Sequence, residues 1–145
     1  MAKKYELEVN FALPQHIIRG MTLEGVQPGG MLEGEIILTP FEEVNCRGVW
    51  LEIGYREGGN GTPYEDRLLE TMICKGRLHA NESFSHHLLY QLPDNVPISY
   101  TGDYVKIEWY IRIRIDIPFW FDTREEFPFR VIPRILRSRN EIDTI

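Results

Sequence analysis

From Val105 to Ile117 the chain reads VKIEWYIRIRIDI, and its two kinds of residue alternate without a break. Val105, Ile107, Trp109, Ile111, Ile113, Ile115 and Ile117 fall on one side. Lys106, Glu108, Tyr110, Arg112, Arg114 and Asp116 fall on the other. A period of two places successive side chains on opposite faces of a strand, whereas a helix would scatter both sets around its circumference. The apolar side is rich in β-branched residues, which fit a pleated surface. The segment therefore reads as a strand with one face on a core and the other toward water. Pro118 has no amide hydrogen to give to a ladder and ends it.

Weaker versions of the pattern recur. Tyr5, Leu7, Val9 and Phe11 alternate with Lys4, Glu6, Glu8 and Asn10. Leu32 to Leu38 follows the turn signal Pro28-Gly29-Gly30. Between Arg47 and Tyr55, Val49, Leu51, Ile53 and Tyr55 share a side and Trp50 takes the other. Residues 58–63, GGNGTP, read as a loop. Leu68–Cys74 and Phe84–Tyr90 are further strand candidates, and Phe127, Phe129 and Val131 alternate near the end. Glu65–Thr71 fits a single helical turn or a strand equally well. No segment carries a long apolar stripe of helical period, and no repeat or linker divides the chain. Many short strands with Gly/Pro turns define an all-β sandwich or barrel. The 145 residues are one ordinary domain, long enough to bury roughly 70% of the unfolded surface without staples.

Leu92 to Gly102, LPDNVPISYTG, separates two strand candidates. Pro93 and Pro97 fix their own φ and stop a ladder from continuing, and Gly102 is available for a positive φ at a tight reversal. So ordered a connection suits a crossing between the two sheets of a sandwich.

These phrases, in this order, resemble the N-terminal domain of the arrestin-like family, which includes arrestins, α-arrestins and Vps26-type retromer subunits. The family phrase F-x-F-x-LP-x-x-x-P-x-S-x-x-G is met by Phe84, Leu88, Leu92-Pro93, Pro97, Ser99 and Gly102. After the alternating strand, Ile115-Asp116-Ile117-Pro118-Phe119-Trp120 is similar to its ID-x-PW, with the tryptophan one residue late. Val26 to Leu38 resembles its Y-x-PGE-x-V-x-G-x-V-x-L, and Phe127-Pro128-Phe129-Arg130-Val131 its closing strand. The resemblance implies a single immunoglobulin-like antiparallel β-sandwich of arrestin N-domain type over residues 1–133, followed by a tail at 134–145. It also implies a protein-interaction adaptor or scaffold, acting in trafficking or signalling. The family's receptor-activated polar core lies between two sandwiches, so that switch does not carry over to this single one. A homodimer, or a companion sandwich, is the expected substitute.

Composition narrows the chemistry. The formal net charge of -6 is poor for phosphate-backbone binding, so no nucleic-acid partner is expected. No apolar run reaches signal-peptide or membrane-helix length, and the chain reads as cytoplasmic, without an integral membrane segment and with Cys46 and Cys74 reduced. Asn60-Gly61-Thr62 and Asn81-Glu82-Ser83 then read as turns rather than glycosylation sites. His86 and His87 point to opposite faces of a strand, and no zinc-ligand spacing joins them, His16 or His79 to a cysteine. Nucleophile elbow, P-loop and dinucleotide fingerprints are missing. Neither a cofactor, a metal nor an enzyme is expected.

The candidate contacts for a protein partner are Tyr110, Arg112 and Arg114 on the polar face of the long strand, and the aromatic cluster Phe119, Trp120 and Phe121. For the cluster, closing the end of the core is the preferred reading, and an exposed anchor the other. The polar face is either simply solvated or a contact surface. Arg134–Ile145 is either a frayed end or a docking peptide. The alternative function is a sandwich that binds a sugar or lipid in a pocket lined by tryptophan and tyrosine; a hydrolase with an unrecognised site is a third.

Overall fold

The structure is a computed structural model that describes residues 4–59, 61–119 and 123–134. Among the described residues there are ten strands: β1 (Tyr5–Phe11), β2 (Gln15–Ile18), β3 (Met21–Glu24), β4 (Met31–Pro40), β5 (Val44–Gly59), β6 (Tyr64–Leu78), β7 (Phe84–Gln91), β8 (Tyr100–Thr101), β9 (Val105–Asp116) and β10 (Thr123–Phe129). Pairing is antiparallel throughout these strands. A three-stranded sheet has the order β1-β4-β7, and a five-stranded sheet the order β10-β9-β5-β6, with β8 also pairing to β9. β2 and β3 form a separate hairpin. Among the described residues no helix is long and apolar enough to cross a membrane.

The alternating strand is the centre of the larger sheet. Its Ile111, Ile113 and Ile115 pair in register with Ile53, Leu51 and Val49 of β5, and all six are at most 2% exposed. Leu32, Ile36 and Leu38 of β4 and Leu88 of β7 close the core from the other sheet. Such cross-strand apolar pairs are the unit of sheet stability. β10 lies at an edge, where Pro128 is tolerated because no outer strand needs its missing donor.

Residues 92–99 do cross between the sheets, from β7 in one to β8 in the other. Leu92 is buried, and its N–H donates to the Gly30 carbonyl. The Pro97 carbonyl accepts from the Trp109 indole N–H at 2.9 Å. Ser99 and Val131 exchange bonds: the Ser99 N–H donates to the Val131 carbonyl, and the Val131 N–H to the Ser99 hydroxyl. The crossing is thus fixed along its length.

Several expectations need correction. Gly102 is not among the positive-φ residues. A Cβ there would stand 2.5 Å from the exposed Tyr100 ring, which would have to swing aside. The loop expected at residues 58–63 is shorter than expected: β5 runs through Gly59, and 61–63 lie between β5 and β6. Glu65–Thr71 is strand throughout. Val105 is exposed and Ile107 half-buried, since the start of β9 extends past the core. The β2–β3 hairpin had no period-two signal. It turns on Arg19 and Gly20, both at positive φ (52° and 78°), the geometry a two-residue hairpin loop demands. An arginine is a rare choice for the first of these positions, so the turn was not legible.

Candidate interaction surface

The outer face of the larger sheet carries a compact ionic network. It follows from register: Trp50, Glu52 and Gly54 of β5 pair with Arg114, Arg112 and Tyr110 of β9, and Glu126 of β10 pairs with Arg112. Arg112 sits at the centre with its side chain 11% exposed. Its guanidinium donates to Glu126 at 2.7 and 2.9 Å and to Glu65 at 2.8 Å. Glu52, whose side chain is only 3% exposed, receives Arg67 at 3.0 Å and Arg112 at 3.5 Å. A buried carboxylate persists only when paired, and here two cations supply that.

Tyr110 forms the floor. Its ring lies beneath Arg112 and Arg56, at 4.6 and 4.9 Å from centroid to guanidinium carbon, and its hydroxyl donates to Glu65. Gly54 makes room for this: a Cβ there would lie 2.4 Å from the Asp66 carbonyl oxygen and 3.0 Å from the Tyr110 hydroxyl. Gly54→Ala is therefore expected to cost about 1–3 kcal/mol, the usual range for overpacking, checked by urea unfolding.

The electrostatics run away from neutrality. The Tyr110 hydroxyl, then Arg112 and Arg56, hold Glu65 below the ordinary glutamate range. At Glu126 burial pushes upward, but hydrogen bonds from Arg56 and Arg112 outweigh it and the carboxyl is lowered. Burial and the bond to Glu65 raise Tyr110. A carboxylate whose folded pKa is depressed contributes stability above its unfolded pKa and loses it as pH falls through the folded value. Stability is thus expected to decline as pH drops below about 4.5, the ordinary value for both groups, measurable by thermal unfolding between neutral pH and acid. A melting temperature that does not fall as the pH drops through that range would contradict the network.

Of the sequence candidates, Tyr110 and Arg112 are brought together, and both are engaged inside the fold. Tyr110 is 2% exposed, which strict alternation on a solvated face did not predict. Arg114 lies over Trp50 at 5.4 Å and reaches Glu70 at 4.0 Å, with more of its side chain open. Phe119 stands apart at the tip after β9, fully exposed and at φ 62°, so it does not close the core. Trp120 and Phe121 lie outside the described residues. Glu52 was missed; its signal was a carboxylate between Leu51 and Ile53 on the face shared with Trp50. Among the described residues no group of His, Cys, Asp and Glu is arranged to hold a metal. Cys46 and Cys74 are free thiols, both pushed up by burial, away from the reactive thiolate range.

Fold and surface together define an arrestin-like antiparallel β-sandwich whose main polar construction lies on an open sheet face. No family model and no curated protein matches the chain. Among solved structures it is similar to the crystal structure of Spo0M, a sporulation control protein from Bacillus subtilis. Identity is 13% and the TM-score 0.66, over 93% of this chain and 51% of that one. The chain spans about half the length of that structure, and the likeness is one of fold.

Proposed function

We propose that this chain is a non-enzymatic protein-interaction module, an adaptor or scaffold working in the cytoplasm in trafficking or signalling. The observation that carries this reading is the network around Arg112. General acid–base chemistry uses groups tuned toward the working pH inside a cleft. Here Glu65 and Glu126 are lowered and Tyr110 raised, and the network spreads over a sheet face. A rigid, charge-patterned face suits orientation and discrimination of a protein partner. The likeness in fold to a control protein is compatible with such a role. The Trp109 side chain, spent on Tyr55 and Phe129 at 4.9 and 5.8 Å, is not presented to a sugar or lipid.

The test is affinity capture of the tagged chain from its native lysate, at low and moderate salt, with mass spectrometry. One stoichiometric partner at both salts is expected. Arg114→Ala is expected to weaken that capture without moving the melting temperature by more than a few degrees, because Arg114 is an outer member of the network. Recovery of nothing but the chain itself would sink the adaptor reading.

A further inference from the structure

We infer that the open edge of β7 is a docking site for an extended strand of a partner protein, with apolar side chains at alternate positions and Lys or Arg between them. This rests on the adaptor reading for the nature of the partner, and it adds the site and the chemistry of the ligand.

Edge strands invite pairing unless charge, proline or bulges blunt them. β1 carries Glu6 and Glu8, β10 carries Arg124, Glu126 and Pro128, and β6 is irregular against β5. β7 reads FSHHLLYQ, without an acidic residue, lysine, arginine, proline or glycine, and pairs with β4 without a register shift. The bond from the Leu92 N–H to the Gly30 carbonyl sets the alternation of this ladder. Even-numbered residues exchange bonds with β4, so Ser85, His87, Leu89 and Gln91 aim their N–H and C=O groups at the open side. Leu89 is also 60% exposed.

A shelf lies below this edge. The two sheets are flush on the opposite flank, where the Tyr5 hydroxyl bonds Thr123 at 2.6 Å and the Phe11 and Phe129 rings meet at 5.8 Å. Three strands counted from that flank cover β10, β9 and β5, and leave β6 overhanging. In agreement, β6 has no buried residue, and its inward Leu69, Thr71 and Ile73 are only half-covered. A strand added to β7 would set its inward side chains on this apolar shelf and complete the smaller sheet.

Its outward side chains would meet an acidic surface. The outward positions of β1 and β4 hold Glu6, Glu8, Glu33 and Glu35, and no outward position of the smaller sheet holds Lys or Arg. Glu33 and Glu35 stand two strands from the added one, roughly 10 Å, within reach of a long cationic side chain. An open hollow of about 500 Å³, lined by Glu33, Gly34, Glu35, Ser85 and His87 among others, lies along that path.

The probe is a capped peptide of alternating valine and lysine as long as β7, added to the full chain while amide hydrogen exchange is followed. Exchange at Ser85, His87, Leu89 and Gln91 is expected to slow about tenfold or more at saturation, and the glutamate counterpart to bind at least about tenfold more weakly. Leu89→Pro removes one edge donor and leaves the β4 ladder intact, so it is expected to abolish binding. Because that variant could fold poorly, the same peptide N-methylated on its β7-facing amides is a second probe, expected not to bind the unaltered chain. Unchanged exchange at the four amides, or equal binding of the glutamate or N-methylated peptide, overturns the proposal. Slow exchange before any peptide is added overturns it too: concentration dependence would give the edge to a second copy, and loss of protection on removing residues 135–145 would give it to the chain's own end. A lysate partner retained by Leu89→Pro would sink this site and spare the adaptor reading; capture of nothing would sink the adaptor reading whatever the peptide does.

Discussion

Trp109→Ala is expected to lower the unfolding free energy by about 3–5 kcal/mol, the range for deleting a large buried aromatic. Trp109 is 1% exposed, so the vacated volume has no solvent to fill it from and the neighbours relax only in part. Three contacts are lost together. Its ring packs on Tyr55 at 4.9 Å and Phe129 at 5.8 Å, and its N–H holds the Pro97 carbonyl at 2.9 Å. For a domain of this size that corresponds to a fall of about 10 °C or more in melting temperature. Trp109→Phe separates the terms: it keeps a ring in place but leaves the Pro97 carbonyl without its donor, a loss of about 1–3 kcal/mol. Urea unfolding followed by far-ultraviolet circular dichroism measures both. An alanine variant less than about 1 kcal/mol below the wild type would mean that the sheet crossing is not tied to the core through this residue.

The second large effect is at Arg112. Arg112→Met is expected to cost about 3 kcal/mol, because it strips one of two cations from a carboxylate that has almost no water. Glu52 keeps Arg67 at 3.0 Å, which holds the loss to the low end for a broken buried pair. Glu65 and Glu126 are partly open and can be hydrated, so they add little. Replacing both partners, Glu52→Leu with Arg112→Met, is expected to recover most of the loss, since no buried charge is then left alone. If the double variant is as unstable as the sum of the single ones, Glu52 and Arg112 are not coupled. The same reasoning makes Arg114 a cleaner probe of binding than Arg112, whose loss weakens the fold itself.

The long strand was legible because its alternation runs unbroken from Val105 to Ile117, and period is what a sheet reads. β1, β4, β5 and β7 followed for the same reason, and the sheet crossing at residues 92–99 was legible from its prolines. Tyr110 was not: alternation assigned it to the wet face, and it is buried by Arg56 and Arg112, which close over its ring. The hairpin at residues 15–24 escaped because Arg19 adopts a left-handed turn conformation that its side chain does not advertise. Arg112 was singled out as a candidate partner contact, but its ion pairs were not legible, because register joins it to Glu52 and Glu65, 60 and 47 positions away along the chain.

By itself the sequence determined an all-β sandwich or barrel, because side-chain period and turn chemistry are local properties, and the order of its phrases, by resemblance, implied the arrestin-like type. Only the tertiary structure decided which charges meet, which tyrosine is buried, and which edge no described strand covers. Those depend on strand order and register, and on three strands facing a wider sheet, all of which join residues far apart in the chain.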